Sequence, residues 1–306
     1  MASWNEILND IQKLNPPAMA EYLNKLLIDS LNNISKLRND KNVIFYASAF
    51  LQKPDSISTQ IMSEDINAFM SVLHGMNFSK GLTLILHTPG GITTAAETIV
   101  EYLHKKFNYI ETIVPTFSMS AGTMIALSTD LIIMGHQSQL GPIDTQIPVS
   151  GRFVSARSII DQFLKAQLSI KKNIKNAHLW APILGGMTPG LLVEAEKANS
   201  YSEKLVASWL TRKGYKSPAT IAKYFNSPAL HKNHGKRIDR NDCVKRGLKI
   251  YELEKNQELQ NAVLTAYHAM TILFEQTSAS KIVVNNSDKK WIKNIAQPIR
   301  MPLGTK

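Results

Sequence analysis

The chain has 306 residues, of which 44% are hydrophobic and 19% charged, with 15 glycines and 13 prolines, a composition that excludes fibrous, low-complexity and disordered classes. Its only cysteine, Cys243, excludes an intrachain disulfide and any metal site built on paired cysteines, and it predicts a reducing, cytoplasmic setting. The net charge of +11 is gathered in patches, Arg152, Arg157, Lys165, Lys171, Lys172 and Lys175 against Asp161, and a basic C-terminal stretch; without interleaved aromatics these read as solvated faces, with nucleic acid or a membrane surface as the alternative.

In chain order, residues 1–38 carry an amphipathic helical pattern broken at Pro16 and Pro17, because proline cannot continue a helix interior. Charge in every turn of this segment predicts neither a signal peptide nor a membrane span. NVIFYASAF from Asn42 is a β-branched and aromatic run that predicts a buried strand. A helix over 63–76 leads to a second strand over 83–87, which ends in the turn HTPGG. Ala95, Ala96, Ile99, Val100, Leu103 and Phe107 then recur at helical spacing, so that one face packs on a sheet. YIETIVPT predicts a strand, SMSAGTMIALST a short apolar helix and DLIIMG another strand. This alternation is that of a parallel sheet with crossover helices, and the predicted class is α/β. Helices follow over 158–176, from Thr188 and Pro189 to about Gly214, from Ser217, from Asp239 to about Gly247, and over 257–276, with LKIYEL as a short strand.

Two turns carry candidate chemistry. In HTPGG, Gly90 and Gly91 let the backbone approach a ligand, with amides free to face a developing negative charge. In SMSAGT, Ser120 falls where an apolar helix begins, at the positive end of its dipole and beside the Ala121 amide. Alone, the first reads as a turn and the second as a helix cap. Together, at the ends of adjacent parallel strands, they supply the nucleophile and two amide donors that acyl transfer requires. No GxGxxG or GxxxxGK occurs, so no nucleotide cofactor is predicted, and HKNH at 231–234 lacks the companions of a metal site, so no metal is predicted either.

ILHTPGG at 85–91, SMSAGTMIAL at 118–127 and LGPIDTQ at 140–146, followed by NHGKRIDRNDCVKRGLKIYELEKNQELQNAVLTAYHA from Asn233, resemble the ordered motifs of serine dehydrogenase proteinases. These are relatives of signal-peptide peptidase A and the Clp proteolytic subunit, and the similarity runs from about Asn42 to Val284. The resemblance implies a Clp-protease/crotonase-like spiral of strand-strand-helix units with helical appendages. It divides the chain into an N-terminal arm (1–40), a hydrolase domain (41–284) and a basic tail (285–306). It also implies a serine peptidase that is a homo-oligomer, with Ser120 as nucleophile and an oxyanion hole formed by the Gly91 amide of the Gly90–Gly91 turn and the Ala121 amide.

A serine hydroxyl needs a neighbour to take its proton. LGPIDTQ offers Asp144 where the Clp subunit carries histidine. A lysine of the peptidase-A kind would be sought near Arg157 and Ser158, or at Lys165, and Arg157 itself stays protonated. His87 precedes the glycine turn, His136 and His231 are further histidines, and His234 matches a position where the family often carries histidine. The expected arrangement is His234 as base, Asp144 orienting it, and His87 beside the site. The alternatives are thioester chemistry on acyl coenzyme A and an inactive scaffold.

Overall fold

The computed structural model describes residues 4–149, 151–227, 231 and 235–295. Helices α1 (Trp4–Ile11) and α2 (Pro16–Leu37) meet at the proline pair, which opens α2, and the Asn15 side chain caps it by accepting from the Ala18 amide. Proline suits a first helical turn because its missing N–H would have had no partner there.

Beyond α2, a unit recurs in which a long strand is followed by a short extended segment and a helix. β1 (Asn42–Ser48) is followed by Ile61 and α3 (Asp65–Leu73), and β2 (Leu82–His87) by Thr88–Gly91 and α4 (Thr93–Lys106). β3 (Ile110–Val114) is followed by β4 (Phe117–Ser118) and α5 (Ala121–Leu127), and β5 (Leu131–Met134) by β6 (Gln139–Leu140). A hairpin of β7 (Gln146–Val149) and β8 (Arg152–Ser155) leads into α6 (Ala156–Lys172), α7 (Ala177–Gly185), α8 (Leu191–Arg212) and α9 (Pro218–Phe225). The chain closes with β9 (Ile238–Asp239), α10 (Arg240–Lys245), β10 (Ile250–Glu252), α11 (Gln257–Gln276), β11 (Ala279–Asn285) and β12 (Lys290–Asn294).

The long strands form a seven-stranded sheet in the order β10-β5-β3-β2-β1-β11-β12, parallel from β10 to β1 and antiparallel at β11 and β12. The short segments form a second ladder, Ile61 with Gly91, Thr88 with Ser118, β4 with β6 and β6 with β9. This is the α/β spiral of strand-strand-helix units that the resemblance implies. One sheet face, with Leu84, Leu86 and Val114, packs on α3, α4, α5 and α8; the other, with Phe45, Ile85 and Ile113, packs on α2 and α11. Residues 290–294, expected in a loose basic tail, form the edge strand β12, whose register on β11 pairs Trp291 with Val283. The lysines around Trp291 hid this strand from a hydrophobic-pattern reading.

Two polar groups are buried on the α2–α11 face. Glu111 of β3 is fully buried; Arg38 holds both its oxygens at 2.8 and 2.7 Å, and the Thr83 hydroxyl donates to it at 2.8 Å. His87, at the end of β2 and of the same parity as Ile85, lies among Phe50, Phe117 and Tyr267, with Nδ1 3.0 Å from the Thr116 hydroxyl and Nε2 without a partner among the described residues. Burial lowers the His87 pKa to about 3.

Arg38→Ala leaves a carboxylate without its main partner, and chemical denaturation is expected to show a loss of about 3 kcal/mol or more, largely recovered in the Arg38→Met/Glu111→Leu pair. For His87, the unfolded chain binds a proton below its ordinary pKa of 6.5 that the folded chain refuses down to about 3. Stability therefore falls through that window, by up to about 1.4 kcal/mol per pH unit from this residue. Ring nitrogen shifts of a neutral imidazole between pH 8 and 4 are the expected NMR result, and a ring that titrates near 6.5 would refute it.

Candidate active site

Parallel β2 and β3 end side by side, and the second ladder carries their continuations together. The Thr88 amide donates to the Phe117 carbonyl and the Met119 amide to the Thr88 carbonyl, both at 3.0 Å. This fixes the HTPGG turn against the residues that open α5. A Cβ on Gly90 would sit 2.6 Å from the Met119 carbonyl oxygen and from the Ser120 Cβ. A Cβ on Gly91 would sit 2.4 Å from the Ile61 nitrogen and oxygen, so only glycine admits both close approaches.

Ser120 has φ 50° and ψ −118°, a conformation that L side chains rarely adopt and that costs about 1–3 kcal/mol. It is partly exposed, its side chain does not cap α5, and its hydroxyl has no hydrogen-bond partner among the described residues. The helix that follows buries all seven residues from Ala121 to Leu127, so packing holds the turn in place. Thr123 ties the turn to the next strand: its hydroxyl donates to the Ser118 carbonyl at 2.7 Å and accepts from the Gly141 amide at 2.9 Å.

The amide directions follow from the backbone. The Gly90 carbonyl accepts from the Ile61 amide at 2.8 Å. In a trans peptide the N–H points opposite to the C=O, so the Gly91 N–H is turned away from Ile61. The Ala121 amide opens the first turn of α5, where no intrahelical acceptor exists. Neither amide has an acceptor among the described residues. Gly90, Gly91 and Ser120 line one cleft of about 580 Å³, together with Gln60, Phe153, Gln146 and Tyr201.

Of the described side chains lining this cleft only Tyr201 titrates, and its hydroxyl donates to Glu97, which with partial burial raises its pKa to about 12. It is therefore a protonated phenol at neutral pH. Asp144 is buried beside the cleft and accepts from the Gln146 side-chain Nε2 at 2.7 Å. His87, expected beside the site, is on the opposite face of the sheet, because strand residues alternate sides and it shares parity with Ile85. His231 is buried and donates Nε2–H to the Tyr224 carbonyl at 2.7 Å, while His136 lies against Arg240 at 3.1 Å. His234 lies outside the described residues. Arg157 pairs with Asp161 at 3.0 Å, and Lys165 is exposed on α6. Among the described residues, no cluster of His, Cys, Asp and Glu is placed to hold a metal, and no helix is long and apolar enough to cross a membrane.

Sequence reasoning missed Ile61, Gln60, Thr123, Tyr201 and Phe153. The threonine in SMSAGT was the one signal available, since a hydroxyl three residues beyond Ser120 in an apolar helix needs a partner.

In sequence, the chain is 39% identical over 87 residues to the protein MJ0137 and 38% identical over 84 residues to MJ1495, both from Methanocaldococcus jannaschii, matches that span 28% of this chain and 30% and 27% of those proteins. Among solved structures it is similar to two mutants of the 1510-N membrane-bound stomatin-specific protease. For one, the identity is 19% and the TM-score 0.40, with 62% of this chain and 74% of that one covered; for the other, in complex with a substrate peptide, these are 19%, 0.39, 62% and 70%. It is also similar to ClpP1 from Listeria monocytogenes, at 14% identity and a TM-score of 0.40, with 74% of this chain and 94% of that one covered. The family model described as ClpP-like SDH-type serine proteinase matches residues 14–176, from α2 through both turns of the cleft to the end of α6. That is more than half of the sequence, and the chain belongs to this family of serine proteinases.

Proposed function

We propose that the protein hydrolyses peptide bonds through an acyl-enzyme on Ser120. The observation that carries this reading is a strained, partly exposed serine at the start of a buried helix, in one cleft with the glycine turn and next to two amides without acceptors. Attack by the Ser120 oxygen forms the new C–O bond and moves the carbonyl π electrons onto oxygen, where the Gly91 and Ala121 amides stabilise the charge. Collapse breaks the C–N bond as the leaving amine takes a proton, and water then releases the acyl group. Amide donors fixed before the reaction stabilise this charge without reorganising, and losing one costs about 10² to 10³ in rate. His234 keeps in this reading the role of proton acceptor that the sequence assigns it, with Asp144 shaping the cleft wall through Gln146. Residues 41–284, completed by the end of β11 and the edge strand β12, form the cytoplasmic hydrolase domain, with 1–40 as its helical appendage.

We also infer that the protein assembles with copies of itself through α6 and α7. Helix α7, with the sequence AHLWAPILG, buries none of its residues, and Leu168, Ile174 and Leu179 are 67%, 74% and 69% exposed. A helix that apolar is stable in water when another surface covers it.

Intact-mass analysis after treatment with a fluorophosphonate probe is expected to give one adduct per chain, absent in Ser120→Ala. No adduct on the wild-type protein would favour the scaffold alternative. In sedimentation velocity the wild-type chain is expected to run as an oligomer, and Leu179→Asp to shift it to monomer with unchanged circular dichroism.

A further inference from the structure

A second buried ion pair lies on the α3–α5 face of the sheet, behind the glycine turn. Lys281 of β11 and Asp65 at the start of α3 are both 0% exposed, with Lys281 Nζ 2.7 and 2.8 Å from the two carboxylate oxygens. The Tyr46 hydroxyl, from β1, donates to Asp65 at 2.7 Å. The remaining capacity of both groups is spent on one short piece of backbone: Lys281 donates to the Gln60 carbonyl at 2.7 Å, and Asp65 accepts from the Met62 amide at 3.1 Å.

Ile61 lies between those two backbone groups. Each peptide plane beside it is therefore held at both ends. In the Gln60–Ile61 plane the C=O is bound by Lys281 and the N–H donates to the Gly90 carbonyl at 2.8 Å; in the Ile61–Met62 plane the N–H is bound by Asp65 and the C=O accepts from the Ile92 amide at 2.9 Å. Because a peptide plane is rigid, fixing one end fixes the direction of the other. The Gly90 carbonyl in turn sets the Gly91 N–H, in the same manner.

We infer that Lys281, Asp65 and Tyr46 are positioning residues for the Gly91 amide, acting through the two peptide planes of Ile61. The inference rests on the reading of Ser120 as an acylating nucleophile. The arrangement accounts for two charged groups in a fully buried place where an apolar pair of similar volume would fold as well. Lysine and aspartate supply what apolar groups lack, directional bonds of opposite sense to the carbonyl before Ile61 and the amide after it.

The test compares fluorophosphonate labelling rates of Ser120, by intact mass, with denaturation midpoints. The Lys281→Met/Asp65→Leu pair removes both charges together and leaves neither unpaired. It is expected to keep a near-wild-type midpoint while labelling about 30-fold more slowly, between no effect and the roughly 10² to 10³ lost with a whole donor. With a chromogenic ester, kcat is expected to fall while KM holds. Should the pair fail to fold, Tyr46→Phe decides, keeping both charges and labelling about threefold more slowly in a folded protein. The Arg38→Met/Glu111→Leu pair serves as control, being an equally charged pair on the other sheet face, and is expected to label at the wild-type rate. Wild-type labelling in the folded Lys281→Met/Asp65→Leu or Tyr46→Phe proteins would overturn the inference while leaving Ser120 reactive. Equal slowing in the control would assign the effect to general stability and overturn it as well. A wild-type protein that takes no label would remove the reading of Ser120, and the inference with it.

Discussion

Three stretches of backbone meet at a separation that no side chain could share: Ile61, the Gly90–Gly91 turn and Met119–Ala121. The arrangement around Ser120 depends on that approach. With β carbons absent from the middle stretch, Ile61 reaches hydrogen-bond distance of it on one side, Met119 and Ser120 press against it on the other, and the carbonyl of Gly90 is spent on Ile61. The amides of Gly91 and Ala121 are left over, and they are left over because the ladder ends there and a helix begins. A pair of unspent donors beside a hydroxyl is a by-product of how two parallel strands finish, which is why so few side chains are needed to build the cleft.

The strain at Ser120 follows from the same geometry. The chain arrives from β4, bound to Thr88, and must turn within one residue into a helix whose seven residues are all buried. Packing on both sides sustains a backbone conformation costing about 1–3 kcal/mol, which an exposed loop would relax. The hydroxyl thereby projects into the cleft, where a relaxed serine would cap the helix.

Much of this was legible because it is local. Prolines and glycines after apolar runs mark the ends of β2 and β3, and the small residues of SAGT mark a helix pressed against a sheet. Ile61 was not legible: its pairing with Gly91 is a single bridge with no strand pattern around it. The two-residue strands β4, β6 and β9 leave no periodicity, and the β7–β8 hairpin is too polar, with Gln146 opposite Ser155 at its open end and Arg152 at its turn, to register as a buried strand. Asp65 and Lys281 are 216 residues apart, and nothing in the sequence pairs them. His87 is a different case. Its parity with Ile85 could have assigned it to the far face of the sheet, and proximity to the glycine turn along the chain outweighed that reading.

The two buried ion pairs, one on each face of the sheet, show why burial alone does not reveal a role. Taking charges out of water costs several kcal/mol per ion, and pairing returns that only when the geometry satisfies the remaining lone pairs and protons. The Arg38–Glu111 pair spends its bonds on side chains, a planar fork against a carboxylate with Thr83 and Tyr109 completing it, and so ties α2 to the sheet. The Lys281–Asp65 pair spends its spare bonds on the backbone of one loop, at the carbonyl before Ile61 and the amide after it. The first joins two elements that packing already joins. The second orients a loop that crosses from β1 to α3 with no strand partner among the described residues except Gly91, and orientation is what a hydrogen bond supplies and apolar contact does not.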